Sequence, residues 1–202
     1  MSQLFRSWRS ILGDDEALSE PLLHFAIPFA AFSYFKKPRE AFVASLIALL
    51  PDVDALLGVH RSMTHSLVVV LALCGIMLVL MKTVRPKLFR FGVFATLGLL
   101  SHLLLDVFTT YTPILWPLVN FSLFVSVDGG VHMSETMNVK VNLDVSTKTT
   151  DFTPFTALDA PLFTSEGFAI ALILIGAVLV NLYSHRLRLF FRRVEASLRQ
   201  RV

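Results

Sequence analysis

Residues 51–66 read PDVDALLGVHRSMTHS, a stretch that places two aspartates, two histidines and one arginine between strongly apolar segments. Charged and metal-binding side chains are costly to keep inside a membrane, and those found there commonly form a functional site. The stretch therefore predicts a polar site within a fold that is otherwise made of hydrocarbon side chains.

The composition of the chain is that of an integral membrane protein. Hydrophobic residues make up 54% of the 202 residues and charged residues 16%, whereas about a quarter of a soluble domain is charged. We expect one membrane domain that comprises residues 1–202. The pI of 9.2 would suit a nucleic-acid-binding protein. However, the basic residues do not form a groove-like face, so no nucleic-acid partner is predicted.

The apolar segments predict an all-α integral membrane helix bundle. There are five of them: residues 21–35, 41–50 (with an extension to residue 57 allowed), 66–81, 91–109 and 167–184. The last three are near the ~20 residues that span a bilayer, and the first two are short. We expect the two short segments to form a shallow or tilted helical hairpin, which would hold Asp52 and Asp54 at membrane depth.

Residues 111–166 follow a different pattern and predict an insert outside the membrane. Turn residues surround one clean alternation, with apolar side chains at positions 137, 139, 141, 143 and 145 and polar side chains between them. An alternation of period two predicts a short β-strand or hairpin.

The basic residues predict the orientation in the cell membrane. Thirteen of the eighteen lie after the first segment, between the third and fourth, and in a tail of residues 185–202. If five segments cross alternately, these groups share one side, which the positive-inside rule makes cytoplasmic. The N-terminus and the insert would then lie outside and the C-terminus inside. The tail mixes arginines with apolar residues, which predicts an amphipathic helix on anionic lipids.

Under this topology, seven ionisable side chains converge at the outer ends of the first four segments. They are His24, Asp52, Asp54, His60, His65, His102 and Asp106. His102 and Asp106 are four residues apart and therefore project from one face of a helix. Imidazole and carboxylate groups together suit a divalent transition metal, zinc first and Mn or Fe(II) as alternatives. One or two ions are predicted.

Each polar residue of the site has a predicted role. We expect the metal ligands to be His24, Asp52, Asp54, His65, His102 and Asp106. Asp54 would be a bridging ligand or the general base, and His60 a lesser ligand or an acid. Arg61 would bind an oxyanion of the substrate or neutralise a neighbouring aspartate, Asp52 or Asp54. Hydroxyl side chains that flank the ligands are expected to orient them: Thr64, Ser66 and Ser101.

Four segments of this chain, LLPDVD, HRSMTHS, SHLLLDVFTT and LWP, follow one another between residues 49 and 117. In order and spacing they resemble the YdjM-like family of membrane-bound, predicted metal-dependent hydrolases, and His24 matches the early histidine of that family. The resemblance covers about residues 22–117 and implies a multi-helix membrane protein with metal-dependent hydrolase activity. Two features depart from the family: only five residues separate PDVD from HRSMTHS, and residues 120–166 show no family pattern.

We therefore predict a metal-dependent hydrolase of the cytoplasmic membrane that acts at the outer leaflet. Its expected substrate is a membrane lipid or a lipid-linked phosphoester, attacked by a metal-activated water. Two alternatives remain at this point: a structural protein in which the metal joins the helices, and an ion or proton transporter. The transporter is disfavoured because the cytoplasmic halves of the segments carry few polar residues. The sequence does not indicate an oligomeric state.

Overall fold

A computed structural model describes residues 20–35, 37–59, 61–133, 137–154 and 164–199. Within these residues the chain forms five α-helices, two short 3-10 helices and one two-stranded sheet. The structure therefore confirms a mostly helical fold that contains a small β element.

Helices α1 (Pro21–Phe35) and α2 (Pro38–Ile47) correspond to the two short apolar segments, and they pack against each other. At 1.5 Å per residue they are about 22 Å and 15 Å long, so each is shorter than the ~30 Å hydrocarbon core of a bilayer. Proline in the first turn of α2 suits a helix start, because its missing N–H would have no partner there. The two helices are joined by only two residues, which makes them a helical hairpin.

Three longer helices follow: α3 (Leu67–Val84), α4 (Pro86–Thr109) and α5 (Ser165–Arg199). Among the described residues, α3, α4 and residues 165–184 of α5 are long and apolar enough to cross a membrane. Much of the surface of α3 is exposed and hydrophobic; Leu73, for example, is 62% exposed. In water such a surface would be unfavourable, whereas in a bilayer it faces lipid.

Helix α4 lies at the centre of the fold, in contact with α1, α2 and α3. Its close approach to α2 depends on Gly98, where an added Cβ would lie 3.0 Å from the carbonyl oxygen of Ala44. His102 and Asp106 are four and eight residues further along and share this face of α4. The glycine therefore lets α2 approach the face of α4 that carries two of the predicted metal ligands.

The predicted β element is an antiparallel hairpin of β1 (Phe121–Met133) and β2 (Met137–Thr149). Each strand has 13 residues and is longer than the short strand predicted from the alternation in β2. Thr112 and Leu123 exchange two backbone hydrogen bonds of 2.9 and 2.8 Å, so the base of the hairpin is anchored just after α4.

The predicted basic tail is not a separate helix, because α5 continues without a break from Ser165 to Arg199. No glycine or proline occurs between residues 177 and 199, so no backbone feature ends the helix where the apolar composition ends. Binding of the tail to anionic lipids stays a prediction.

Candidate metal centre

The polar stretch of residues 51–66 folds into two 3-10 helices, Pro51–Leu57 and Met63–His65. The first ends at Gly58, whose φ of 77° lies in the left-handed region that favours glycine. The second is followed by Ser66, which caps α3 by accepting a hydrogen bond from the N–H of Val69. Two sharp changes of direction within sixteen residues therefore bring separate parts of this stretch to one place.

This stretch is fixed to the segment that follows α4. The N–H of Leu67 donates to the carbonyl oxygen of Ile114 at 2.9 Å. The hydroxyl of Ser66 donates to the carbonyl oxygen of Trp116. These bonds hold the start of α3, and with it His65, beside the end of α4.

Four potential ligand atoms from three segments meet at one point: Nε2 of His65, Nε2 of His102, Oδ1 of Asp52 and Oδ2 of Asp106. Five of the six pairs among these atoms are 3.2 to 3.5 Å apart. A tetrahedral zinc ion bound at about 2.0 to 2.1 Å would separate its ligand atoms by about 3.3 to 3.4 Å. The imidazoles of His65 and His102 are therefore spaced as ligands of one such ion, with the Asp52 carboxylate completing one candidate group and the Asp106 carboxylate, together with His24 and His102, another.

Burial and charge point to a cation at this position. His65, His102 and Asp106 are 0% exposed. The Asp106 oxygens make no hydrogen bond of good geometry among the described residues, although imidazole nitrogens lie 3.2 to 3.3 Å away. A buried carboxylate is unfavourable without a counter-charge. Asp52 and Asp106 together carry the two negative charges that would balance a divalent ion.

The acid and imidazole groups also stabilise each other's charged forms. Burial alone would raise the pKa of the Asp52 carboxyl, but hydrogen bonds with His102 and His65 outweigh burial and hold that pKa below its usual range. Burial would lower the pKa of His65, but hydrogen bonds with Asp52 and Asp54 outweigh it and raise that pKa. The site therefore attracts positive charge, whether protons or a metal ion carry it.

His24 of α1 approaches Asp106 at the carboxylate oxygen that His65 does not contact. Its Nδ1 lies 3.0 Å from the carbonyl oxygen of Glu20, which assigns the proton to Nδ1 and leaves Nε2 as an acceptor. That Nε2 lies 3.2 Å from Oδ1 of Asp106. Two acceptors at this distance repel unless a proton or a cation lies between them. Because His24 and His65 approach different oxygens of Asp106, this carboxylate is placed to bridge two ions.

Asp54 is placed differently from the other predicted ligands. Its Oδ2 accepts hydrogen bonds from the N–H of Ser62 at 2.7 Å and from the hydroxyl of Thr64 at 2.8 Å. The same oxygen lies 3.3 Å from Nδ1 of His65, on the side of the ring away from the other ligand atoms. In this geometry Asp54 is placed to orient His65 through its Nδ1, and the role of Asp54 as a bridging ligand or general base stays a prediction.

Arg61 lies between the two 3-10 helices, with a φ of 57° that is uncommon for a residue other than glycine. It lines a cleft of about 160 Å³ together with Thr110, Tyr111 and Lys148. Thr110 follows the last turn of α4, so this cleft adjoins the ligand-bearing end of that helix. His60, the predicted lesser ligand or acid, lies outside the described residues.

A second cleft, of about 240 Å³, also borders this stretch. Its lining is mainly apolar and comprises Asp54, Val59, Ser62, Met63 and Phe152. Asp54 contributes to both this cleft and the environment of His65, so the apolar cleft also adjoins the candidate metal centre. The first cleft is lined by basic side chains, Arg61 and Lys148, and the second mainly by apolar side chains.

Comparison with known proteins identifies the family. The model of the YdjM inner membrane protein family matches residues 22–187. The chain belongs to this family. The match confirms the resemblance inferred from the motifs, and it extends through the hairpin into α5. Together with the three apolar helices of the described residues, the match supports a location in a membrane.

One curated relative is the inner membrane protein YbcI of Escherichia coli (strain K12), which is 42% identical over 86 residues. This alignment covers 36% of the chain and 49% of the relative, so the chain spans about half the length of that protein. No solved structure matches the chain.

The structure adds residues to the site that sequence reasoning did not assign. The carbonyl oxygen of Glu20 orients His24, and the N–H of Ser62 binds Asp54. Of the hydroxyl residues expected to orient ligands, Thr64 contacts Nδ1 of His65 at 3.1 Å. Ser101 instead bonds the carbonyl oxygen of Gly98 in its own helix. Backbone groups leave no signal in residue identity, which is why the first two were missed.

Proposed function

We propose that this protein is a membrane-bound, metal-dependent hydrolase. The observation that carries the proposal is the close approach of imidazole nitrogens and carboxylate oxygens of His65, His102, Asp52 and Asp106, with five separations of 3.2 to 3.5 Å that suit ligands of a metal ion. A divalent ion held there would lower the pKa of a bound water and polarise the scissile group. A second ion beside His24 and Asp106 would be consistent with the same chemistry.

The chain's own residues supply the remaining requirements of such a site. Asp52 and Asp106 would neutralise a divalent ion, and Asp54 would keep a proton on Nδ1 of His65 so that Nε2 is free to bind the ion. The side chain of Asp52 is 15% exposed, whereas the other three ligands of the set are fully buried. A reactant would therefore enter from the side of Asp52.

The two clefts favour a lipid or lipid-linked phosphoester as the substrate. Arg61 offers a planar guanidinium that matches the oxygens of a phosphate and would stabilise the negative charge that develops during hydrolysis. The apolar lining of Val59, Met63 and Phe152 suits hydrocarbon. An amphipathic substrate satisfies both clefts at once.

The distribution of basic residues supports a site at the outer leaflet. If the segments cross as the positive-inside rule directs, the ligand-bearing end of α4 and the hairpin lie outside, with the N-terminus out and the C-terminus in. The amphipathic end of α5 would then bind anionic lipids on the cytoplasmic face.

The same geometry favours one alternative, a structural protein in which the metal joins the helices. Structural zinc sites have four protein ligands, and catalytic sites keep one position open. The structural role would need His65, His102, Asp52 and Asp106 all to bind one ion, whereas catalysis would need one position left open to water, for which the partly exposed side of Asp52 is suited.

Metal analysis with matched variants tests the proposal. Purified protein should carry at least one equivalent of a transition metal by inductively coupled plasma mass spectrometry, and Asp106→Ala should lose it. Asp144→Ala, which removes an exposed aspartate on the hairpin, should keep it. A stable wild-type protein without metal, purified where zinc, manganese and iron are available, would contradict both the hydrolase and the metal-joined structural protein.

Hydrolysis then separates the two functions. The enzyme should hydrolyse phosphoester lipids in mixed micelles only when it is loaded with metal. Asp52→Asn, which weakens the exposed ligand, should reduce the rate more than it reduces the melting temperature. Metal-loaded protein that turns over no phosphoester and melts much lower when Asp52 is changed would identify the structural role instead.

A further inference from the structure

The cleft that contains Arg61 is assembled from three separate parts of the chain. Arg61 comes from the polar stretch, and Thr110 is joined by Tyr111 and Pro113 from the segment after α4. The base of the hairpin and the residues just after it contribute Ser122, Lys148, Thr149 and Asp151. Two cations and several hydroxyl groups therefore face a common space, next to one carboxylate.

This cleft is held close to the candidate metal centre. The N–H of Thr110 donates to the carbonyl oxygen of Asp106 at 2.8 Å, which places the cleft one helical turn from that ligand. Arg61 precedes His65 by four residues, and the end of the stretch that carries both is fixed by the bonds of Ser66 and Leu67 to the segment after α4. A group bound in the cleft would therefore lie beside the ion.

Lys148 is positioned by the anchored part of the hairpin. It lies opposite Ser122 in the strand register, so both side chains project from the same face of the sheet. The neighbouring bridge between Thr112 and Leu123 ties this end of the hairpin to the end of α4. The other lysine of the hairpin, Lys140, is on the same face of β2 but eight residues away, about 27 Å along the strand.

We propose that Arg61 and Lys148 form a phosphate-binding subsite beside the candidate metal centre, which selects substrates that carry a dianionic phosphate group. A guanidinium fork and a nearby ammonium group together match the charge and oxygens of such a group. A headgroup whose phosphate carries one negative charge and is paired with a choline would use only part of this subsite. The assignment of the bound group as substrate rests on the proposed hydrolase function, whereas the binding of phosphate does not.

Titration of the full-length protein with inorganic phosphate tests the subsite. Calorimetry in detergent at low ionic strength should show binding to wild type and about a fivefold weaker affinity for Lys148→Gln, the scale expected for one exposed charge. Lys140→Gln should bind as wild type does. Both lysines are exposed, so the two variants should share the wild-type melting temperature. Equal affinity for phosphate in wild type and Lys148→Gln, or no binding at all, would overturn the subsite.

A chelated sample separates this inference from the proposed function. Phosphate binding that depends on Lys148 should persist after chelation, because Arg61 and Lys148 are not among the metal ligands. Phosphate binding that disappears with the metal would place the phosphate on the ion and overturn the subsite. If the protein holds no metal yet binds phosphate through Lys148, the hydrolase proposal fails and the subsite stands.

Lipid competition identifies the source of the phosphate group. Mixed micelles of dodecyl maltoside with phosphatidic acid should displace inorganic phosphate from wild type, and micelles with phosphatidylcholine should not. Displacement by phosphatidic acid alone supports selection of a dianionic lipid headgroup. Equal displacement by both lipids would overturn that selectivity. If neither lipid displaces phosphate while the effect of Lys148→Gln remains, the subsite stands for a water-soluble phosphoester.

Discussion

Asp54 contacts a candidate metal ligand, His65, from the side away from the other candidate ligand atoms. Its Oδ2 accepts two hydrogen bonds, from Ser62 and Thr64, and faces Nδ1 of His65. A carboxylate on the far nitrogen of a metal-binding histidine fixes the orientation of the ring and raises its basicity. The same contacts bind together three parts of the polar stretch.

This placement predicts a graded response to two similar substitutions. Asp54→Asn should weaken zinc affinity by about 10- to 100-fold, the range typical of a lost partner of a metal ligand. Asp52→Asn changes a proposed direct carboxylate ligand and should weaken the zinc affinity further. Competition with a chromophoric chelator measures both affinities in the same buffer. If Asp54→Asn lost as much affinity as Asp52→Asn, Asp54 would be a ligand, as the sequence alone had suggested.

The residues of the site could be predicted from the sequence, but their roles could not all be. His102 and Asp106 share a helix face, and the fixed helical period makes that geometry readable. Asp52 and Asp54 lie in a 3-10 helix, where neither the helical nor the strand period applies. Asp54 is turned toward Ser62 and Thr64, eight and ten positions further on, and such contacts cannot be read from a local sequence period.

At the level of elements, α4 carries two of the candidate ligands and contacts the helix that precedes the polar stretch. Gly98, His102 and Asp106 occupy one face of this helix, and the missing side chain at Gly98 admits the backbone of α2 at Ala44. The polar stretch follows α2 directly. A shift between α2 and α4 would therefore move Asp52 relative to His102 and Asp106.

Enlarging Gly98 should consequently damage the metal centre from a distance. Gly98→Val should lower the free energy of unfolding by about 1 to 3 kcal/mol, the usual effect of overpacking, and should reduce metal occupancy as well. Gly75→Val in α3 is the matched control, since an added Cβ there meets nothing within 4 Å. Melting curves and metal content of the two variants provide the comparison. Equal melting temperatures and equal metal contents in the two variants would mean that the close approach of α2 to α4 does not position the site.

Helix ends were harder to predict than helices. Residues 91–109 were predicted as one apolar segment, but α4 begins at Pro86 because Lys87 and Arg90 are good helix formers that hydropathy alone excludes. Likewise β1 was not predicted separately from β2, since Gly129 and Gly130 interrupt its alternation. Pairing with β2 stabilises β1 despite the interrupted alternation. Such pairing depends on two segments together, so it cannot be read from the pattern of one segment alone.

The molecule as a whole has an uneven charge distribution that predicts its orientation. The insert of residues 111–166 contains two lysines and six acidic residues, whereas thirteen of the eighteen basic residues lie in the three regions predicted to be cytoplasmic. Lysine and arginine near membrane segments set orientation because they are retained on the cytoplasmic side. The hairpin and the ligand-bearing end of α4 are on the same side by direct contact, since Thr112 pairs with Leu123.

Cysteine labelling in intact cells tests this orientation and the location of the site together. Cys74 is buried, and replacing it by alanine gives a background without cysteine. A cysteine at Lys140, exposed on β2, should react with a membrane-impermeant maleimide added outside. A cysteine at Lys87, exposed at the start of α4, should react only after the cells are opened. Because the hairpin is tied to the end of α4 that carries Asp106, the reverse pattern would place the candidate metal centre at the cytoplasmic face. The substrate would then have to be a lipid of the inner leaflet, although the contacts within the site would be unchanged.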